Sequence, residues 1–175
     1  MDLSVLMDLS VLRDTIGFFA PGILFMFSVL FLRHMSNYLL FYIVGTVLNN
    51  ILNIILKMII KEPRPSKEQK FIEIGVTNGF SFSFDKFGMP SGHAQNCGFS
   101  LAFITLVFNN PFITTLYLII TLASLMQRYL YKNHTILQLI VGFIIGLFTG
   151  YVTYLCGSKY IMGNIKIKKD DYFYY

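Results

Sequence analysis

Five side chains in this sequence have the types and spacing to act on an anion. They are Lys57 and Arg64, His93 in a Pro90-Ser91-Gly92-His93 run, and Arg128 followed after five residues by His134. Arginine grips phosphate through parallel N–H bonds, and lysine attracts it as a point charge. A Ser-Gly turn that opens a helix leaves backbone N–H groups for an anion, helped by the positive end of the helix dipole. Of two histidines beside such an anion, one can donate a proton and the other can attack phosphorus. No Asp/Glu/Cys set accompanies them, which makes a poor metal site. The chemistry that fits is covalent phosphoryl transfer with no metal and no cofactor. His134 would attack, Lys57, Arg64 and Arg128 would stabilise the transition state, and His93 would protonate the departing oxygen.

The elements that must hold these residues are membrane helices. The chain has 175 residues, 55% hydrophobic and only 13% charged, with mean hydropathy +0.61. An average soluble domain is about a quarter charged, so a disordered chain, a coiled coil and an ordinary soluble enzyme are excluded. The net charge of +5 could suggest nucleic acid, but the basic residues sit between long apolar runs. A spanning helix takes about 20 apolar residues. The runs are Ile16–Leu32, Tyr38–Ile60, Ala94–Phe108 (extendable from Pro90 to Asn110), Pro111–Met126 and Ile136–Cys156. An all-α, polytopic membrane bundle of about five transmembrane helices is predicted. Residues 16–156 form its transmembrane domain, 1–15 an N-terminal lead-in and 157–175 a C-terminal extension. The lead-in repeats MDLSVL and carries Asp2 and Asp8 where a signal peptide would be basic.

Following the chain from face to face brings Lys57, Arg64, His93, Arg128 and His134 to one side of the membrane. Lys57 alone reads as a lysine snorkelling from a helix end. Asn49, Asn53 and Lys57 nevertheless form an i,i+4 stripe, which predicts a polar face inside the bundle. Gly142, Gly146 and Gly150 repeat every four residues, a packing pattern that would press the helix after His134 against a neighbour. The connection from Lys61 to Met89, with Phe80, Phe82, Phe84 and Phe87, reads either as a flap at the interface or as an irregular solvent loop. Cys97 and Cys156 fall in apolar runs and are expected as buried free thiols. The flanking lysines and arginines divide almost evenly between the two faces, so loop charge sets no orientation.

Lys57-x6-Arg64-Pro65, Pro90-Ser91-Gly92-His93 and Arg128-x5-His134 resemble, in order, the three motifs of the type 2 phosphatidic acid phosphatase (PAP2) superfamily. The resemblance covers Lys57 to Gln138. It implies that Lys57, Arg64, Ser91, Gly92 and Arg128 hold phosphate, that His93 is the general acid, and that His134 forms a phosphohistidine without metal. Two positions depart from the family. Gln127 stands where it usually has Ser, and Gln138 where it usually has Asp four residues after the nucleophile. The i,i+4 spacing lets the Gln138 carbonyl accept from the His134 ring. With the Lys-Glu-Pro-Arg-Pro and Gly-Met-Pro-Ser-Gly-His-Ala-Gln contexts, this pattern is most similar to the dolichyl-diphosphatase branch. That branch implies a lipid-diphosphate substrate and an active face in the lumen of the endoplasmic reticulum. A broader phosphatase for phosphatidic acid or isoprenoid phosphates, and an inactive lipid-binding or scaffold relative, fit the same residues.

Overall fold

The computed structural model describes residues 3–66 and 87–170, with side chains described over 10–66 and 87–161. Five helices account for almost all of it: α1 (Leu3–Leu32), α2 (Ser36–Ile60), α3 (Gly92–Phe108), α4 (Pro111–Leu130) and α5 (Ile136–Asp170). Among the described residues no strand forms, and only the single bridge between Pro63 and Phe87 has β character. The architecture is all-α. Four of the helices contain segments long and apolar enough to cross a membrane: Ser10–Leu32, Ser36–Ile60, Pro111–Leu130 and Ile136–Ile161. The protein is an integral membrane protein.

The shortest helix is the central one. With 17 residues, α3 buries Ala94, Gln95, Cys97 to Leu101, Phe103 and Ile104, and it packs against all four other helices. Its surroundings are side chains rather than lipid, so α3 can carry Gln95 and Asn96 where an exposed span could not. Lipid-facing apolar side chains lie on the outer helices instead, such as Leu40, Leu48 and Ile51 on α2 and Ile140, Ile144 and Phe148 on α5. The opposite face of α5 carries the glycines. A Cβ on Gly142 would stand 2.5 Å from the Ser91 carbonyl oxygen, one on Gly146 2.0 Å from that of Gln95, and one on Gly150 2.5 Å from that of Phe99. The repeat therefore packs α5 against α3 of the same chain, backbone to backbone.

Tight connections fix which helix ends are neighbours. Asn109 ends α3 with φ 45°, and the Asn110 side chain accepts from the N–H groups of Phe112 and Ile113 beside Pro111 in the first turn of α4. An αL stop, an Asn cap and an N-terminal proline together force an immediate reversal. Lys61 ends α2 in the same left-handed way, with φ 53°. The chain then runs through Glu62–Ser66, which is stitched sideways by Gly88 N–H to the Glu62 carbonyl (2.8 Å) and Ser66 N–H to the Lys132 carbonyl (3.2 Å).

Some boundaries differ from the sequence reading. The first helix does not begin at Ile16 but runs through it from Leu3. The charges at 13 and 14 do not stop it, because buried Asp14 accepts from Arg13 (2.8 Å) and from the Tyr131 hydroxyl (2.5 Å). At the other end α5 continues past Cys156 to Asp170. Cys97 is a buried free thiol as expected, but Cys156 is exposed, on the outside of α5 rather than in the core. Phe80, Phe82 and Phe84 of the proposed flap lie outside the described residues, as does the tail beyond Asp170; Phe87 is half-buried against Pro63.

Candidate active site

The stripe Asn49, Asn53, Lys57 is buried along its length, at 2%, 6% and 7% exposure. Its amides build a network into α3 and α5. Gln95 donates to the Asn49 side chain and carbonyl (both 2.9 Å), Asn53 donates to Gln95 Oε1 (2.7 Å), and Thr149 donates to Asn49 Oδ1 (2.8 Å). Asn53 also donates to the Pro90 carbonyl at 3.2 Å. A buried, satisfied network of this kind rigidifies what it touches. Here it holds the turn that opens α3.

That turn delivers Ser91, Gly92 and His93. Ser91 is fully buried and is the N-cap of α3, accepting from Ala94 N–H at 3.4 Å, while its own N–H donates to the Gln138 carbonyl at 3.1 Å. The Ser91 hydroxyl proton and the first-turn N–H groups of α3 remain as donors for an anion. His93 is gripped from two sides. The Phe18 carbonyl of α1 lies 3.0 Å from Nε2, and Arg128 Nη2 lies 3.2 Å from Nδ1. A carbonyl only accepts and a guanidinium only donates. Nε2 therefore carries the hydrogen and Nδ1 the lone pair, an assignment made from these partners. The Phe18 ring also lies under the Arg128 guanidinium, 5.4 Å from centroid to Cζ.

Arg128 sits in the last turn of α4 and is buried. Its carbonyl accepts from both Asn133 N–H (3.1 Å) and His134 N–H (3.3 Å), with Lys132 at φ 52° turning the chain between them. The five-residue spacing is thus that of a chain folding back onto the end of its own helix. His134, 2% exposed, meets Arg64 Nη1 at Nε2 (3.3 Å) and Gln138 Oε1 at Nδ1 (3.2 Å). Burial first, then the charges of Arg64, Arg128 and Lys57, lower its pKa to about 3, against the opposing bond to Gln138. The ring is neutral, with Nδ1–H donating to the amide and the Nε2 lone pair turned to Arg64.

Lys57, Arg64, Arg128, His93, His134, Ser91, Gly92 and Gln138 therefore converge at one end of the bundle. Gln127 does not join them. Its side chain is buried against α1, where a Cβ on Gly17 would come within 2.7 Å of the Gln127 Cβ.

Three contributors were missed in the sequence. Phe18 reaches the site through a backbone carbonyl and a ring, and neither leaves a motif. Thr135 and Gln138 form a capping box at the start of α5: Thr135 N–H donates to Gln138 Oε1 and Gln138 N–H to Thr135 Oγ1, both at 3.2 Å. That Thr-x-x-Gln signal was legible. Glu62 was not. Its carboxylate accepts from Gln138 Nε2 at 2.7 Å, so the site has a carboxylate where the sequence reading had none.

A neutral imidazole with one lone pair exposed to arginine, a second imidazole, three cations and helix-opening N–H groups can bind a phosphoryl group and take it up on nitrogen. A family model described as the PAP2 superfamily matches residues 38–162. No curated protein and no solved structure matches the chain.

Proposed function

The chain belongs to the PAP2 superfamily and is a membrane-embedded phosphatase of lipid phosphates; from that premise we propose that it removes the terminal phosphate of a polyprenyl or dolichyl diphosphate. Lys57, Arg64, Arg128, the Ser91 hydroxyl and the Gly92 N–H hold the terminal phosphoryl group. His134 Nε2 attacks phosphorus, the P–O bond to the lipid monophosphate breaks, and His93 gives a proton to the departing oxygen. Water then attacks the phosphohistidine and passes its proton to the vacated His93 Nδ1, which breaks the N–P bond, releases inorganic phosphate, frees Nε2 and restores the acid. In the free protein His93 Nδ1 accepts from Arg128. When phosphate draws that guanidinium away, Nδ1 is the atom left to hold and deliver the proton, with Phe18 holding Nε2–H.

The observation that carries the substrate class is the pairing of His134 Nδ1 with an amide, Gln138 Oε1, at 3.2 Å. An amide carbonyl fixes the tautomer but supports a developing positive ring less than a carboxylate in direct contact. Displacing an alkoxide from a lipid monophosphate leans heavily on that support. Displacing a lipid monophosphate from a diphosphate leans on it less, because the leaving group is a far weaker base. The similarity of the Lys-Glu-Pro-Arg-Pro and His-Thr-x-x-Gln contexts to the dolichyl-diphosphatase branch supports the same reading. It also supports an active face in the lumen of the endoplasmic reticulum. Phosphate release by purified protein in detergent, over polyprenyl diphosphates, polyprenyl monophosphates and phosphatidic acid, tests it. Higher kcat/KM on the diphosphates is expected; faster turnover of phosphatidic acid than of any diphosphate would overturn it.

A further inference from the structure

We propose that Glu62 is a positioning residue for phosphoryl transfer, acting on His134 through the Gln138 amide. The inference rests on the reading of His134 as the nucleophile. The geometry is a relay of three groups: His134 Nδ1 to Gln138 Oε1 at 3.2 Å, then Gln138 Nε2 to Glu62 Oε1 at 2.7 Å. A primary amide has two nearly isosteric ends, and which end faces the imidazole decides the tautomer. If the NH2 faced Nδ1, that nitrogen would have to accept, the ring hydrogen would move to Nε2, and the nucleophilic lone pair would be lost. The carboxylate only accepts, so it holds the NH2 end toward itself and leaves the oxygen for His134. The Pro63 carbonyl accepts from the same NH2 at 3.0 Å, and Thr135 N–H donates to the same oxygen at 3.2 Å. All these partners favour one orientation, and Glu62 alone among them adds charge. As the N–P bond forms, positive charge grows on the ring and is transmitted to Nδ1–H. A negative group at the far end of the amide stabilises it through the polarised amide.

The placement is built rather than incidental. Gly88 N–H fixes the Glu62 backbone, and a Cβ on Gly88 would stand 2.5 Å from Gln138 Oε1, so glycine leaves the amide its room. The same short run that sends Arg64 to Nε2 sends Glu62 toward the Nδ1 side. One segment after α2 thus addresses both nitrogens of one imidazole, Nε2 directly through Arg64 and Nδ1 through the Gln138 amide.

The test is a charge exchange along the relay. Glu62→Gln keeps shape and an acceptor but removes the charge. The expected result with a polyprenyl diphosphate in detergent is a fall in kcat of roughly tenfold or more, the usual order for an outer-shell orienting group. KM and the thermal midpoint should stay unchanged, and acid-labile phosphoenzyme should form more slowly. Gln138→Glu alone sets two carboxylates at hydrogen-bond distance and should be impaired as well. The exchange Glu62→Gln with Gln138→Glu puts the charge directly on Nδ1 and should recover most of kcat, which a purely structural role for Glu62 would not produce. Wild-type kcat in Glu62→Gln, or an exchange variant no faster than Glu62→Gln, overturns the proposal. His134→Ala, measured in parallel, separates the two levels. If it is dead while Glu62→Gln is fully active, only the role of Glu62 fails; if it turns over normally, the reading of His134 fails with it.

Discussion

The Phe18 carbonyl holds His93 Nε2 at 3.0 Å from a helix that lies outside residues 38–162 of the family match. α1 is therefore part of the site. Its Phe18 ring also faces Arg128, an arrangement worth about 0.5–2 kcal/mol. Phe18→Ala leaves the carbonyl in place and removes the ring. KM for the diphosphate should rise about twofold to thirtyfold, with kcat changed less. An unchanged KM would show that the ring does not help to hold Arg128 for phosphate.

His134→Ala should lower kcat by roughly a thousandfold or more, the scale of losing a nucleophile, with no acid-labile phosphoenzyme on quenching. His93→Ala should slow a lipid monophosphate more than a diphosphate, because its proposed task is protonation of the leaving oxygen. Both wild-type activities should persist in excess EDTA. Loss on chelation, with recovery on adding Mg²⁺ or Zn²⁺, would contradict a mechanism run by cations of the chain itself.

The pH dependence follows from the lowered pKa of His134, about 3 against an ordinary 6.5. In the free protein His134, the proposed nucleophile, stays unprotonated far below neutrality. Divided by the ionisation of the substrate, kcat/KM should show no acid limb near 6.5. For stability the sign is opposite in appearance but identical in cause. Between 6.5 and about 3 the unfolded chain binds a proton at His134 that the folded protein does not. The stabilisation is complete above 6.5 and is lost as pH falls through that window. Thermal midpoints in detergent should drop there for wild type, and less steeply for His134→Ala.

Gly146 and Gly22 make a matched pair for testing the helix packing. A Cβ on Gly146 would meet the Gln95 carbonyl at 2.0 Å, whereas one on Gly22 would meet nothing within 4 Å. Gly146→Ala should cost about 1–3 kcal/mol through overpacking, read as a lower midpoint in detergent. Gly22→Ala should be neutral or slightly stabilising, since it replaces a helix-interior glycine. Equal midpoints would mean that α3 and α5 can separate without loss.

What was legible in the sequence was periodic or local. Apolar runs showed the helices, the i,i+4 amides showed the inward face of α2, and the motif spacing placed the cations at one face. Arg128 and His134 were readable because both lie on one turn of chain. Glu62 and Gln138, 76 residues apart, meet only after the segments around Pro63 and Phe87 pair, and no spacing encodes that. Phe18 was hidden for a different reason: a backbone carbonyl has no residue identity. Gln138 read alone is a departure from the family's usual Asp, and becomes an intermediary once its two neighbours are in view. Cys156 was misjudged because an apolar run has an outer face as well as an inner one.

The contacts of Gly142 with Ser91, Gly146 with Gln95 and Gly150 with Phe99 behave as a toothed rack between two rods. Sliding α5 along α3 by a single residue, about 1.5 Å, would drive backbone into backbone at every tooth. The gap between His93, one residue into α3, and His134, two residues before α5, is consequently gauged by main-chain contact along the rack. Room for lipids of different girth must then come from surfaces outside the rack, such as the face of α1 at Gly22, where a Cβ would meet nothing within 4 Å.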